Sequence, residues 1–141
     1  MSTFSRPIFL IEDNPMDLDL TQRAFMKCNI LNPIIIARDG EEALMKFREL
    51  DKTMEKPLMV LLDLKLPKKN GFDVLAGIKD DPQMQSTPVI VLTSSTDSGD
   101  IKKAYDLGAN SYIIKPVDYS VFLNVAGQIY EYWSKINTLP G

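Results

Sequence analysis

The chain has 141 residues, 45% hydrophobic and 25% charged, a balance that suits a folded domain with a sizeable core and excludes a disordered chain. Its net charge of −3 argues against a surface made for nucleic acid or an anionic membrane, and no stretch approaches the roughly 20 apolar residues of a membrane span. With no histidine and a single cysteine, Cys28, the chain has no Ser-His-Asp or Cys-His catalysis, no imidazole or Cys-based metal site and no internal disulfide.

The start, 1-MSTFSRPIFLIEDN-14, has too short an apolar run before its acidic pair for a signal peptide. The expectation is a cytoplasmic protein in which residues 1–141 form one domain. The first apolar run, 8-IFLIE-12, reads as a strand and ends on Glu12 and Asp13. Asn14 is then a cap and Pro15 a first helical residue for a helix over 15–28. A second strand, 34-IIIAR-38, precedes Asp39 as cap of a helix over 40–50. The third run, 58-LMVLLD-63, passes from five apolar residues straight into Asp63 and turns through 66-LPKKNG-71 into a helix over 71–80. The fourth, 89-VIVLT-93, ends on Thr93 and Ser94, with Asp97 or Ser98 capping a helix over 98–107 that Gly108 closes. The fifth, 111-SYIIK-115, ends on Lys115-Pro116 and leads past Asp118 into a helix over 118–135. Along that helix Phe122, Val125, Ala126, Ile129 and Trp133 recur at three- and four-residue steps, a stripe that reads as core packing.

The strands are apolar almost throughout, as strands covered on both faces of a parallel sheet should be. Five of them alternating with five helices predict a doubly wound α/β sheet. In such sheets the active crevice lies at the carboxyl ends of the strands. Glu12, Asp13, Asp63, Thr93 and Lys115 all fall there. Taken singly, an acidic pair before a helix is a cap and a strand-end lysine is a solvated charge; gathered at one rim they indicate chemistry. Two carboxylates about 4 Å apart repel by roughly 4 kcal/mol at an effective dielectric near 20, so the cluster needs a cation. All-oxygen donors suit Mg²⁺, and a carboxylate can act as a nucleophile to form an aspartyl phosphate.

The motifs 10-LIEDN-14, 61-LLDLKLPKKNG-71, 90-IVLTS-94 and 113-IIKP-116, with the spacing of Asp63, Thr93, Tyr112 and Lys115, resemble the receiver domain of two-component response regulators over about residues 7–134. The resemblance implies a flavodoxin-like fold with strand order 2-1-3-4-5. It implies that Asp63 accepts a phosphoryl group, that Asp13 binds Mg²⁺ or Mn²⁺ directly with Glu12 partly through water, and that the Lys65 backbone carbonyl is a further ligand. Lys115 would contact the phosphate, its bond to Pro116 would be cis, and Thr93 and Tyr112 would form a switch pair. The function implied is a stand-alone regulator, not an enzyme beyond its own phosphorylation and slow dephosphorylation. It would be phosphorylated by a histidine kinase or phosphotransfer protein and read by a downstream protein. Lys65 and Ser95 depart from the commonest residues of the family at positions that influence phosphate loss.

The tail 130-YEYWSKINTLP-140 and the run 64-LKLPKKNGFDVL-75 resemble small regulators paired with bacterial phytochrome-type kinases. A homodimer is expected through the fourth helix (Lys102, Lys103, Tyr105, Asp106), the fifth strand and the last helix, with Asp118 and Glu131 facing the lysines and Tyr130, Tyr132 and Trp133 as anchors. Three rivals are weaker. A haloacid-dehalogenase-like phosphatase needs an aspartate where Lys65 stands; a receiver-shaped module that works unphosphorylated would lack Asp63, Asp13 or Lys115; and 12-EDNPMD-17 has no glycine fingerprint for a nucleotide.

Overall fold

The computed structural model describes residues 6–53 and 56–140. Residues 1–5, the beginning of the stretch used for the signal-peptide reading, and residue 141 lie outside them. Five strands, β1 (Ile8–Ile11), β2 (Ile34–Ala37), β3 (Met59–Leu62), β4 (Val89–Thr93) and β5 (Ser111–Ile114), form one parallel sheet in the order β2-β1-β3-β4-β5. The helices α1 (Pro15–Lys27), α2 (Gly40–Thr53), α3 (Gly71–Asp80), α4 (Ser98–Asp106) and α5 (Tyr119–Glu131) supply the crossovers.

Alternation along the strands divides the core in two. Phe9, Ile11, Val60, Leu62, Val89 and Val91 face one layer with Phe47, Leu75, Ile78 and Ala104 from α2, α3 and α4. Ile8, Leu10, Met59, Leu61, Ile90 and Leu92 face the other, with Phe25 of α1 and Phe122, Ala126 and Ile129 of α5. The three central strands are wholly buried, and the edge strands β2 and β5 are largely half-buried. The apolar stripe on α5 is therefore core, as its period requires. No helix among the described residues is long and apolar enough to cross a membrane.

Caps set the entry of each helix. Asn14 Oδ1 accepts from Met16 and Asp17 N–H, and Asp97, rather than Ser98, accepts from Gly99 and Asp100 N–H. Asp118 caps α5, Asp39 Oδ1 accepts from Glu42 N–H at 2.8 Å, and Asn70, which sequence reading passed over, caps α3. Gly108 closes α4 in the left-handed region at φ 102°, where a side chain would be strained.

Three expectations need correction. The last helix is not α-helical to 135: after Glu131 a π turn spans Tyr132–Ile136. There the Ser134 hydroxyl donates to the Tyr130 carbonyl at 2.5 Å and the Asn137 N–H reaches Tyr132 O at 2.6 Å. A serine bonding four residues back disturbs the regular ladder, and the wider turn follows. Tyr130 is no surface anchor, because it is buried and its hydroxyl donates to Asn32 Oδ1 at 2.7 Å. Finally, no described peptide bond is cis, so Lys115–Pro116 is trans, the isomer favoured by about 0.5–1 kcal/mol even before proline.

Candidate functional site

Backbone pairing at the ends of the strands brings the functional side chains together. Glu12 N–H donates to Ala37 O at 3.0 Å and Asp63 N–H to Ile11 O at 3.0 Å, so the two acids leave neighbouring strands side by side. Lys115 N–H donates to Thr93 O at 2.8 Å, which ties the fifth strand end to the fourth. The turn after Asp63 folds back sharply, with Gly71 N–H on Leu64 O at 2.9 Å. A Cβ at Gly71 would stand 2.4 Å from Leu64 Cα and 2.6 Å from Asp63 O, so only glycine lets α3 start this close to the acceptor.

Lys115 is the hub of the charges. Its ammonium donates to Glu12 Oε1, to Asp17 Oδ2 at 2.9 Å and to Asp63 Oδ2 at 3.0 Å. Lys65 N–H donates to Asp63 Oδ1 at 3.2 Å and Asn14 N–H to Glu12 Oε2 at 3.2 Å. Burial by itself would raise the Asp63 carboxyl, but the charge and hydrogen bond of Lys115 outweigh it and hold Asp63 below the ordinary carboxylate range. Glu12 goes the other way. It is 4% exposed, and burial, with the charge of Asp63 added, pushes it up to about 7 despite Lys115. Lys115 itself is shifted up, as its bonds to Glu12 and Asp17 outweigh burial.

Exposed Asp13 adds a fourth carboxylate: one oxygen each of Glu12, Asp13 and Asp63 lie within 4.8 Å of one another. One ammonium thus contacts three carboxylates with a fourth beside them, so by count of charges the cluster stays negative. The donors are hard oxygens on flexible stems at a water-accessible rim. They fit Mg²⁺ or Mn²⁺, and they exclude softer ions that want sulfur or imidazole.

Asp17 was missing from the sequence reading. It lies in the first turn of α1, its N–H capped by Asn14 at 3.1 Å, and this places its carboxylate over the mouth and onto Lys115. Its signal was its position one turn beyond Asp13. Thr93 is fully buried, and its Oγ1 lies 3.5 Å from Ser95 N–H, which leaves its own proton free to be donated elsewhere. Tyr112, half-buried on β5, donates its hydroxyl to Ser95 O at 2.9 Å. The Lys65 side chain is exposed.

The family model of the response regulator receiver domain matches residues 8–126. The chain belongs to the response regulator receiver domain family. Receivers of this kind serve phosphorylation-dependent two-component signalling. The chain is 40% identical over 135 residues to the probable methanogenesis regulatory protein FilR2 of Methanothrix harundinacea, covering 95% of this chain and 87% of that protein. It is 37% identical to response regulator Rcp1 of Synechocystis, with 99% of both chains covered. The crystal structure of the phosphorylated cyanobacterial phytochrome response regulator RcpA superposes with a TM-score of 0.89 at 39% identity, covering 97% of this receiver and 99% of that chain. The Mn²⁺-bound form of Rcp1 superposes at 0.83 and 35% identity, covering 96% and 99%. The strand order 2-1-3-4-5 with five helices stands.

Proposed function

We propose that this receiver accepts a phosphoryl group on Asp63 from the phosphohistidine of a partner kinase or phosphotransfer protein and passes the signal on through a changed surface. The observation that carries the reading is the Asp63 carboxylate, kept ionised by Lys115 and set beside Glu12 and Asp13 at the carboxyl edge of the sheet. The chain has no histidine of its own, so the donor is another protein. In the transfer, an Asp63 oxygen bonds to phosphorus as the phosphorus–nitrogen bond breaks, and the electron pair stays on the departing imidazole. Mg²⁺ or Mn²⁺, held by Glu12, Asp13, Asp63 and the Lys65 carbonyl, supplies neutralising charge for the phosphoryl oxygens when bound. Lys115 exchanges Asp63 for a phosphoryl oxygen, Thr93 donates its free proton to another, and Tyr112 follows the space that Thr93 leaves.

The likeness to RcpA and Rcp1, together with the tail 130-YEYWSKINTLP-140, supports a phytochrome-type histidine kinase as donor and the cytoplasm as the place of work. The output surface is the side formed by α4, β5 and α5, through which a second copy associates. Tyr105, Ile114, Val117 and Val121 are exposed there. The lysines once expected to face Asp118 and Glu131 across a two-fold are engaged within the chain, Lys102 with Asp106 at 2.8 Å and Lys103 over the Phe72 ring at 4.5 Å. Apolar side chains rather than ion pairs therefore carry this surface. Sedimentation with and without phosphorylation tests it; a monomer in both states assigns the surface to a different protein.

The central test uses a small acyl phosphate with Mg²⁺ on the intact chain. One alkali-labile phosphoryl group should be added, and none to Asp63→Asn. Labelling of that variant at the parent's rate overturns the assignment.

A further inference from the structure

Every hydrogen-bonding group of Ser95 is engaged, and each engages a different part of the switch. Its N–H meets Thr93 Oγ1 at 3.5 Å, and its carbonyl accepts from Tyr112 Oη at 2.9 Å. Its hydroxyl donates to Asp100 Oδ2 at 2.6 Å while accepting from Asp97 N–H at 3.3 Å. Asp97 is in turn the cap of α4, accepting from Gly99 and Asp100 N–H at 2.7 and 3.1 Å. Ser95 is 8% exposed, so these bonds are made largely out of water.

The helix on the far side of this junction is weakly held by packing, for Ala104 is the one fully buried residue among the nine of α4. Polar contacts at its first turn must therefore do much of the holding. We propose that the Ser95–Asp100 hydrogen bond is a latch: a positioning pair that fixes the first turn of α4 and the Ser95 carbonyl together, so that movement of Thr93 is transmitted to Tyr112 and α4 as one unit. This rests on the reading of Asp63 as phosphoacceptor and deepens it. Without the latch the Ser95 carbonyl is free to leave Tyr112, and the arrangement that matches a phosphorylated mouth is populated less. Apparent affinity for a phosphoryl group then falls in proportion to that population.

The probe is beryllofluoride with saturating Mg²⁺, titrated calorimetrically into the intact chain. Ser95→Ala and Asp100→Ala should each weaken binding by about fivefold, and the double variant should be no weaker than the weaker single one, as coupled partners require. Ser95→Thr keeps the hydroxyl and Asp100→Asn keeps an acceptor oxygen, and both should stay within about twofold of the parent. Mg²⁺ affinity without beryllofluoride should be unchanged throughout, which a general loosening of the fold would not leave. Single variants equal to the parent, or losses that add in the double variant, overturn the latch. Binding to Asp63→Asn as tight as to the parent would instead overturn the phosphoacceptor assignment, so the two failures are distinct.

Discussion

The two ends of the sheet hold their half-buried cations in opposite ways. At the amino ends, Lys79 donates to the carbonyls of Gln85 and Thr87 at 3.2 and 3.0 Å and to Asn110 Oδ1 at 2.9 Å, all neutral oxygens. Asn32 and Tyr130 complete that end with an amide on Arg6 O at 2.8 Å and a hydroxyl on the Asn32 oxygen. At the carboxyl ends, Lys115 is surrounded by Glu12, Asp17 and Asp63, with Asp13 beside them. The first arrangement satisfies its polar groups and asks for nothing more. The second leaves negative charge unmatched, a cost that a fold carries only where something will arrive to relieve it.

Titration sharpens this contrast most. Glu12 holds its proton up to about pH 7 in the folded chain against an ordinary 4.5, so the folded state binds that proton more tightly than the unfolded one. Its contribution to stability is full below pH 4.5 and is lost as pH rises to 7, on the order of 3 kcal/mol at most. Asp63 is lowered, so its contribution is present above its ordinary 3.8 and fades only in more acid solution, outside that window. Urea unfolding of the metal-free protein between pH 5 and 7.5 should show the decline, and Mg²⁺ affinity should rise over the same interval as Glu12 gives up its proton. A flat profile for both would break the contrast.

At the opposite end, Lys79→Met takes the ammonium from the carbonyls of Gln85 and Thr87 and leaves Asn110 Oδ1 with the Val89 N–H alone. It should destabilise by about 1–3 kcal/mol while phosphoryl labelling and Mg²⁺ affinity stay at parental values. Any change in labelling would mean that the two ends are coupled. The smallest effect is expected from Asp13→Ala. Mg²⁺ binding should weaken at least about tenfold, yet the metal-free protein should gain about 1 kcal/mol, the scale of one like-charge pair near 4 Å in water. Calorimetry and urea unfolding of one preparation read both signs.

The framework of the site was legible because strand ends are. An apolar run five or six residues long can only end at the edge of the sheet, so Glu12, Asp63, Thr93 and Lys115 were bound to converge whatever their sequence separation. Asp17 was not legible in this way, since its approach to Lys115 depends on the angle at which α1 leaves Asn14. The role of Ser95 turns on the direction of one hydroxyl, and the sequence showed it only as an unusual residue after Thr93. The π turn at Tyr132 depends on a serine bonding to its own helix, which periodicity does not register. Tyr130 is different: it stands four residues after Ala126 in the buried stripe, and strict use of the helical step would have placed it inside.

The π turn has a consequence for how this receiver can be watched. It carries the one tryptophan of the chain, Trp133, packed edge-on to Tyr132 at 4.9 Å and 84°. At 1.5 Å per residue, α5 carries that indole about 20 Å from its first residue, Tyr119, and so away from the mouth. Its emission will report melting of the layer built from α1 and α5 and stay quiet when a cation or a phosphoryl analogue arrives. An optical signal from the mouth requires an indole placed there, and Val117, fully exposed immediately after Pro116, is the position that can take one without disturbing the core.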